Sequence, residues 1–108
     1  MSPRLSREER ASRMVHNRNS CVLEAAIAVA RKHGFNRITR RYVADMAGVS
    51  DGSVNGAYGT MDALRNAVMR ACVEREHLDV IAQGIVERHP LAMSAPEAVR
   101  VRALASRA

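Results

Sequence analysis

The seven residues SDGSVNG, Ser50 to Gly56, set short polar side chains around a single valine. On a helix, Asp51, Ser53, Asn55 and Gly56 form a polar outer face while Val54 points inward. Such a face can enter the major groove of duplex DNA and read base edges. Asn55 has the donor and acceptor for a bidentate pair with adenine. Ser53 can donate or accept, and Asp51 can accept from a cytosine amino group. Gly52 and Gly56 let the backbone come close. Phosphate chemistry lies just upstream: Arg37, Thr39, Arg40 and Arg41 cluster where a helix begins, and free backbone N–H groups there also favour an anion. Tyr58 follows Val54 by one helical turn. It reads as core packing first and as a phosphate donor second. A second basic group, Arg4, Arg7, Arg10 and Arg13, recurs every third residue near the start.

Covalent and metal chemistry have no comparable support. The four histidines, His16, His33, His77 and His89, never share a helical face at four-residue spacing. Neither Cys21 nor Cys72 belongs to a C-x-x-C pair. There is no glycine-rich phosphate loop after a strand and no nucleophile–base pair. The expectation is a protein without metal or cofactor that is not an enzyme.

Composition narrows the class. The 108 residues suffice for one small domain. One Phe, two Tyr and no Trp leave an aliphatic core. With few Gly and Pro and no alternating run, the fold class expected is all-α. The net charge of +6 is uneven: residues 1–60 carry +5 and residues 61–108 carry +1. A basic front half suits a polyanion, and a balanced back half suits protein contacts. No apolar run approaches the roughly 20 residues of a membrane span, and the basic N-terminus lacks the apolar segment of a secretory signal, so a cytoplasmic location is expected. Both cysteines sit in apolar helical patterns and read as buried free thiols.

The elements that must position SDGSVNG follow from caps and periodicity. Residues 1–17 have few apolar positions. Ser6 and Glu9 have the spacing of a capping box that could begin a helix. The segment nevertheless reads as a solvated basic arm that orders on nucleic acid. Val22, Leu23, Ala26, Ile27 and Ala30 make the apolar face of a helix over 19–33, closed by Gly34 with Phe35 tucked back. Thr39 caps a helix to about Ala47, Gly48 makes the turn, and Ser50 caps a helix from Asp51 to about Tyr58. Ile38 with Val43, and Val49 with Val54, have the spacing of hydrophobic staples. Ala44 is small where two helices must cross. This is the layout of a helix-turn-helix in residues 18–60.

Residues 61–108 read as a helical dimerisation segment. Thr60 caps a long helix through about Glu87. Leu64, Ala71, Leu78 and Ile85 recur every seven residues with Val68 and Ala82 between them, and Arg75 interrupts the seam. Ala71, Leu78, Ala82 and Ile85 are the expected pairing surface. Residues 88–92 read as a loop. Ser94 to Glu97 read as a capping box for a last helix over 95–106.

Val22 to Leu64 resembles the DNA-binding domain of the TetR family of bacterial transcription repressors. The shared residues are Val22-Leu23-Glu24-Ala25-Ala26, Gly34-Phe35, Thr39, Val43-Ala44, Ala47-Gly48-Val49-Ser50, Gly52-Ser53-Val54 and Asp62-Ala63-Leu64. The resemblance implies a three-helix DNA-binding unit, a homodimer and a palindromic operator. Two departures stand out. Asn55, Gly56, Ala57 and Tyr58 replace two tyrosine-like residues, a His and a Phe, and Met61 replaces a lysine that often contacts phosphate. The N-terminal arginines, or Arg40 and Arg41, are then the substitutes. Only 44 residues follow Leu64, too few to enclose a sizeable pocket, so no small-molecule ligand is expected. A compact dimeric repressor of the kind phages and plasmids encode fits these features. Two other readings fit the same residues: a replication- or partition-associated DNA-binding protein, and a protein-interaction module such as an anti-repressor or an inhibitor of a host enzyme.

Overall fold

Ser6 starts the first helix. Its Oγ accepts from the Glu9 N–H at 3.1 Å, and Glu8 and Glu9 lie in the first turn, where acidic groups suit the dipole. In a computed structural model, residues 6–107 are described, and within them all side chains except those of residues 11–17. Helix α1 is continuous over Arg7–His33, 27 residues. It begins well before the expected residue 19. The cap at Ser6 supplies a start, and no Gly or Pro interrupts residues 7–21, so a helix nucleated on the apolar half extends at little cost. Arg7 and Arg10 therefore stand exposed on helix rather than on a loose arm. Arg4 and the Arg13 side chain lie outside the described residues.

A 3-10 turn, Phe35–Arg37, follows Gly34. Helix α2 is Arg40–Ala47 and α3 is Asp51–Tyr58, with the caps expected from the sequence. Thr39 Oγ1 accepts from the Tyr42 N–H at 3.2 Å. Ser50 Oγ accepts from the Ser53 N–H at 3.2 Å. Such caps contribute about 1 kcal/mol each. Gly48 takes φ 71° and ψ 33° in the left-handed region. That conformation lets the Val49 N–H reach back to the Ala44 carbonyl at 3.0 Å and closes α2. Val22, Ala26 and Val29 of α1, Ile38 before α2, Val43, Ala44 and Val54 are all buried in one core with Leu64, Val68 and Met69 of α4, Met61–Glu74. This aliphatic packing fixes α3 across α2. Cys72 lies in the core, where burial pushes its thiol up to about 12. Cys21 is exposed on α1, contrary to expectation: it falls one position outside the apolar stripe that begins at Val22.

The expected long helix from residue 60 to 87 is two helices. α4 stops at Glu74 and α5 runs Leu78–Val86. Glu76 between them takes φ 53°, and the His77 N–H donates to the Cys72 carbonyl at 2.9 Å. A left-handed residue other than glycine costs about 1–2 kcal/mol. Folding back buries Val80, Ile81 and Ala82 completely, and each large aliphatic side chain so buried contributes about 1.5–3 kcal/mol. A straight helix would have left Val80 and Ile81 in water, because α5 is apolar on nearly every side. Arg75, read as interrupting the seam, sits at the break and forms an ion pair with Glu24 of α1 at 2.7 Å.

The seven-residue stripe accordingly does not run along one helix. Ala71 is buried in the main core. Ala82 is buried in a second cluster with Ile81, Val99 and Ala103, against which Leu78 and Ile85 are half-buried. Ala71 and Ala82 leave no exposed surface for a second subunit, and Leu78 and Ile85 leave only part of theirs. The large apolar side chains exposed in this half are Val86, Met93, Val101 and Leu104.

Part of the segment 88–92 expected as loop belongs to a single-turn helix, α6 (Pro90–Met93). Proline suits its first position, and His89 Nδ1 caps it by accepting from the Leu91 N–H at 3.2 Å. Ser94 closes α6 instead of opening the last helix, because Ala92 and Ala95 must both reach the core and the chain bends between them. Helix α7 is Glu97–Ala105, with Pro96 before it and no side-chain cap. Gly84 lies where α5 meets α4 and α6: a Cβ there would stand 2.4 Å from Met69 Cε and 2.7 Å from Ala92 Cβ. Among the described residues no helix is long and apolar enough to cross a membrane.

Candidate nucleic-acid interface

One side-chain cap and one buried valine decide which side of α3 faces outward. Ser50 holds the first turn, Val54 is buried, and Ala57 and Tyr58 pack against the core from the edge. The remaining residues, Asp51, Gly52, Asn55 and Gly56, are exposed. Asp51 lies in the first turn, where the dipole favours a carboxylate. Ser53 is half-buried, and its Oγ is 3.1 Å from Ser50 Oγ, so the two serines serve the helix start together.

The start of the preceding helix is basic. Arg37, Arg40 and Arg41 are exposed at the entry to α2, beside the first N–H groups of that helix. The ion pairs use Arg31, Arg65, Arg75 and Arg102, so among the described residues none of the three is paired with a carboxylate. Arg65 of α4 donates from Nη2 to the Ile38 carbonyl at 3.0 Å, which anchors the entry to α2 against α4.

The structure separates the sequence-derived residues into groups. Asp51, Gly52, Asn55, Arg37, Arg40 and Arg41 are all exposed. Thr39 and Ser50 act through the caps they form. Tyr58 turns inward: its hydroxyl donates to the Asn19 carbonyl of α1 at 3.5 Å, and burial, with the Glu24 charge adding to it, raises its pKa. Its place is a link between α3 and α1, not an open phosphate donor. Gly56 is exposed but lies beneath Arg18 of α1. Arg7 and Arg10 stand farther along α1.

Three more residues on this side lie outside the sequence-derived set. Arg18 lies against Gly56. Tyr42 and Met46 are exposed on α2, and Tyr42 stacks on His33 with ring centroids 5.7 Å apart. The spacing of Tyr42 and Met46, four apart and offset from Val43 and Ala47, is the signal that could have found them. For Arg18 the signal is the glycine at 56, where the similar family carries an aromatic residue.

Residues 22–68 match the family profile described as bacterial regulatory proteins, tetR family. These residues form a TetR-family DNA-binding domain. The match begins in the buried half of α1 and ends inside α4, so it takes in the whole packed unit that presents α3. No curated protein and no solved structure matched the chain. The TetR-family match stops at Val68, so α5, α6 and α7 lie beyond it. The domain content is that of a DNA-binding transcriptional regulator.

Proposed function

We propose that the protein is a dimeric repressor that acts in the bacterial cytoplasm by occupying a palindromic operator, with no small-molecule inducer. One observation supports the reading: Asp51, Gly52 and Asn55 of α3 are exposed, as are the cations Arg37, Arg40 and Arg41 at the entry to α2, the helix that packs against α3. A helix bearing small polar groups fits the major groove, and cations beside it neutralise the phosphates along the groove walls. In this mechanism Asn55 pairs with an adenine and Asp51 accepts from a cytosine amino group. Arg37, Arg40 and Arg41 set the register on the backbone. Repression follows from occupancy, since a bound dimer blocks the polymerase.

A single unit of this size contacts little DNA, and two copies on a two-fold site double the interface. The test is nuclease footprinting by the full chain over DNA around its own coding region, paired with sedimentation at micromolar concentration. The expected footprint covers two inverted half-sites with centres about 34–36 Å apart, or a multiple of that spacing. The expected species is a dimer. A protein that protects no site removes the repressor reading, and one that remains monomeric on its site removes the dimer.

A further inference from the structure

Arg18 of α1 lies across Gly56 of α3. A Cβ at residue 56 would be 3.7 Å from both Nη1 and Nη2 of Arg18 and 3.8 Å from its Cζ. The guanidinium thus lies over Gly56, within ordinary van der Waals distance of where a Cβ would stand, in the space that a larger side chain would take. Its Nε is buried without a hydrogen-bond partner, as is the neighbouring Asn19 Oδ1. The described ion pairs do not include Arg18. Meanwhile the Tyr58 hydroxyl donates to the Asn19 carbonyl, which holds this stretch of α1 in register with the end of α3.

Among the described residues Arg18 makes no hydrogen bond or ion pair, and with Nε turned inward its two terminal amino groups are the donors left for an acceptor from outside. The major groove is about 12 Å wide and a helix with its side chains about 10–12 Å across, so phosphates run along both flanks of an inserted helix. Arg18 lies beside α3 at Gly56. We propose that Arg18 is a DNA phosphate contact, and that Gly56 is small because the guanidinium must lie there. This assignment rests on the reading of α3 as the groove-entering helix. A planar guanidinium suits it, because it can stack on the backbone beneath while its outer edge donates to two phosphate oxygens.

The test measures binding of the full chain to a labelled random-sequence duplex over a range of salt concentrations. In Arg18→Gln the slope of log K against log salt should shallow by about 0.9, the amount expected when one phosphate is no longer neutralised, while the thermal midpoint stays near wild type. Arg18→Lys should keep the slope. Gly56→Leu, whose side chain takes the place of the guanidinium, should shallow the slope by the same amount, and it decides the matter should Arg18→Gln fail to fold. A wild-type slope in Arg18→Gln or Gly56→Leu overturns the assignment while leaving α3 as the reading helix. A wild-type chain with no salt-dependent DNA affinity overturns the DNA-binding reading itself, and Arg18 with it.

Discussion

The backbone N–H of Phe35 donates to Gln83 Oε1 at 2.6 Å, joining the turn after α1 to the middle of α5 across 48 residues of sequence. A second tie runs beside it, from Arg31 to Asp79 at 3.4 Å. Phe35 also meets His89 edge-on, with ring centroids 5.5 Å apart. The C-terminal helices therefore brace the corner from which α2 departs. Gln83→Leu removes the acceptor and leaves a partly buried N–H unsatisfied, at an expected cost of about 1–3 kcal/mol. Urea denaturation should show it, and Gln83→Glu, which keeps an acceptor oxygen, should recover most of the loss. Equal midpoints for the leucine variant and wild type would show that water replaces the bond without cost.

The turn between α2 and α3 tests conformation apart from crowding. A Cβ at Gly48 would meet no atom within 4 Å, yet the residue sits at φ 71°. Gly48→Val is expected to destabilise the protein by about 1–3 kcal/mol through backbone strain alone. Gly48→Asn should cost much less, because asparagine visits the left-handed region. Thermal melts of the three proteins check this, and a valine variant as stable as wild type would remove the strain account.

Asn55 is exposed and its side chain makes no described hydrogen bond with its own chain, so its truncation should leave the fold intact. Asn55→Ala is expected to lose about 1–3 kcal/mol of operator affinity while binding to random DNA stays nearly unchanged. Titration against both DNAs separates the cases. Equal loss on both would mean that Asn55 does not read a base.

His89 predicts a pH dependence. Burial holds its pKa below the ordinary 6.5, opposed by the charge of Glu87. In the folded state the neutral ring accepts the Leu91 N–H at Nδ1, which a protonated ring could not do. Between the folded and unfolded pKa values the unfolded chain binds more protons. Stability therefore rises with pH across that window and is lost as pH falls through 6.5 toward the lower folded value. His89→Asn keeps an acceptor at the helix start without titrating, so its melting temperature should fall less than wild type between about pH 7 and pH 5. Parallel curves for the two proteins would place the pH dependence elsewhere.

The helix-turn-helix could be read residue by residue because its determinants are local. Thr39, Gly48 and Ser50 each act within about one helical turn, through a cap or a permitted φ, and the structure places all three as the sequence implies. The outward positions 51, 52 and 55 follow from one buried valine and the helical period. Gly56 belongs to the same period, but its neighbour does not. Arg18 reaches it because α1 begins before residue 18 and packs against α3, a meeting of residues far apart in sequence. Tyr58 turns inward for the same reason, since its hydroxyl finds a carbonyl on α1.

The second half shows where local reading fails. Leu64, Ala71, Leu78 and Ile85 keep a perfect seven-residue spacing, yet the chain breaks between the second and third of them. Spacing records which residues would share a face if the helix stayed straight. It carries no information on whether another surface can bury the residues off that face. Val80 and Ile81 supply the deciding term: their burial outweighs one strained residue at Glu76. The all-α class, the caps and turn of the DNA-binding unit and the polar face of α3 were legible in residue order, because each depends on backbone chemistry within a few residues. Where α1 packs on α3, where the long helix folds back and which apolar residues remain at the surface were set by packing. Those outcomes depend on buried area, which is a property of distant segments meeting.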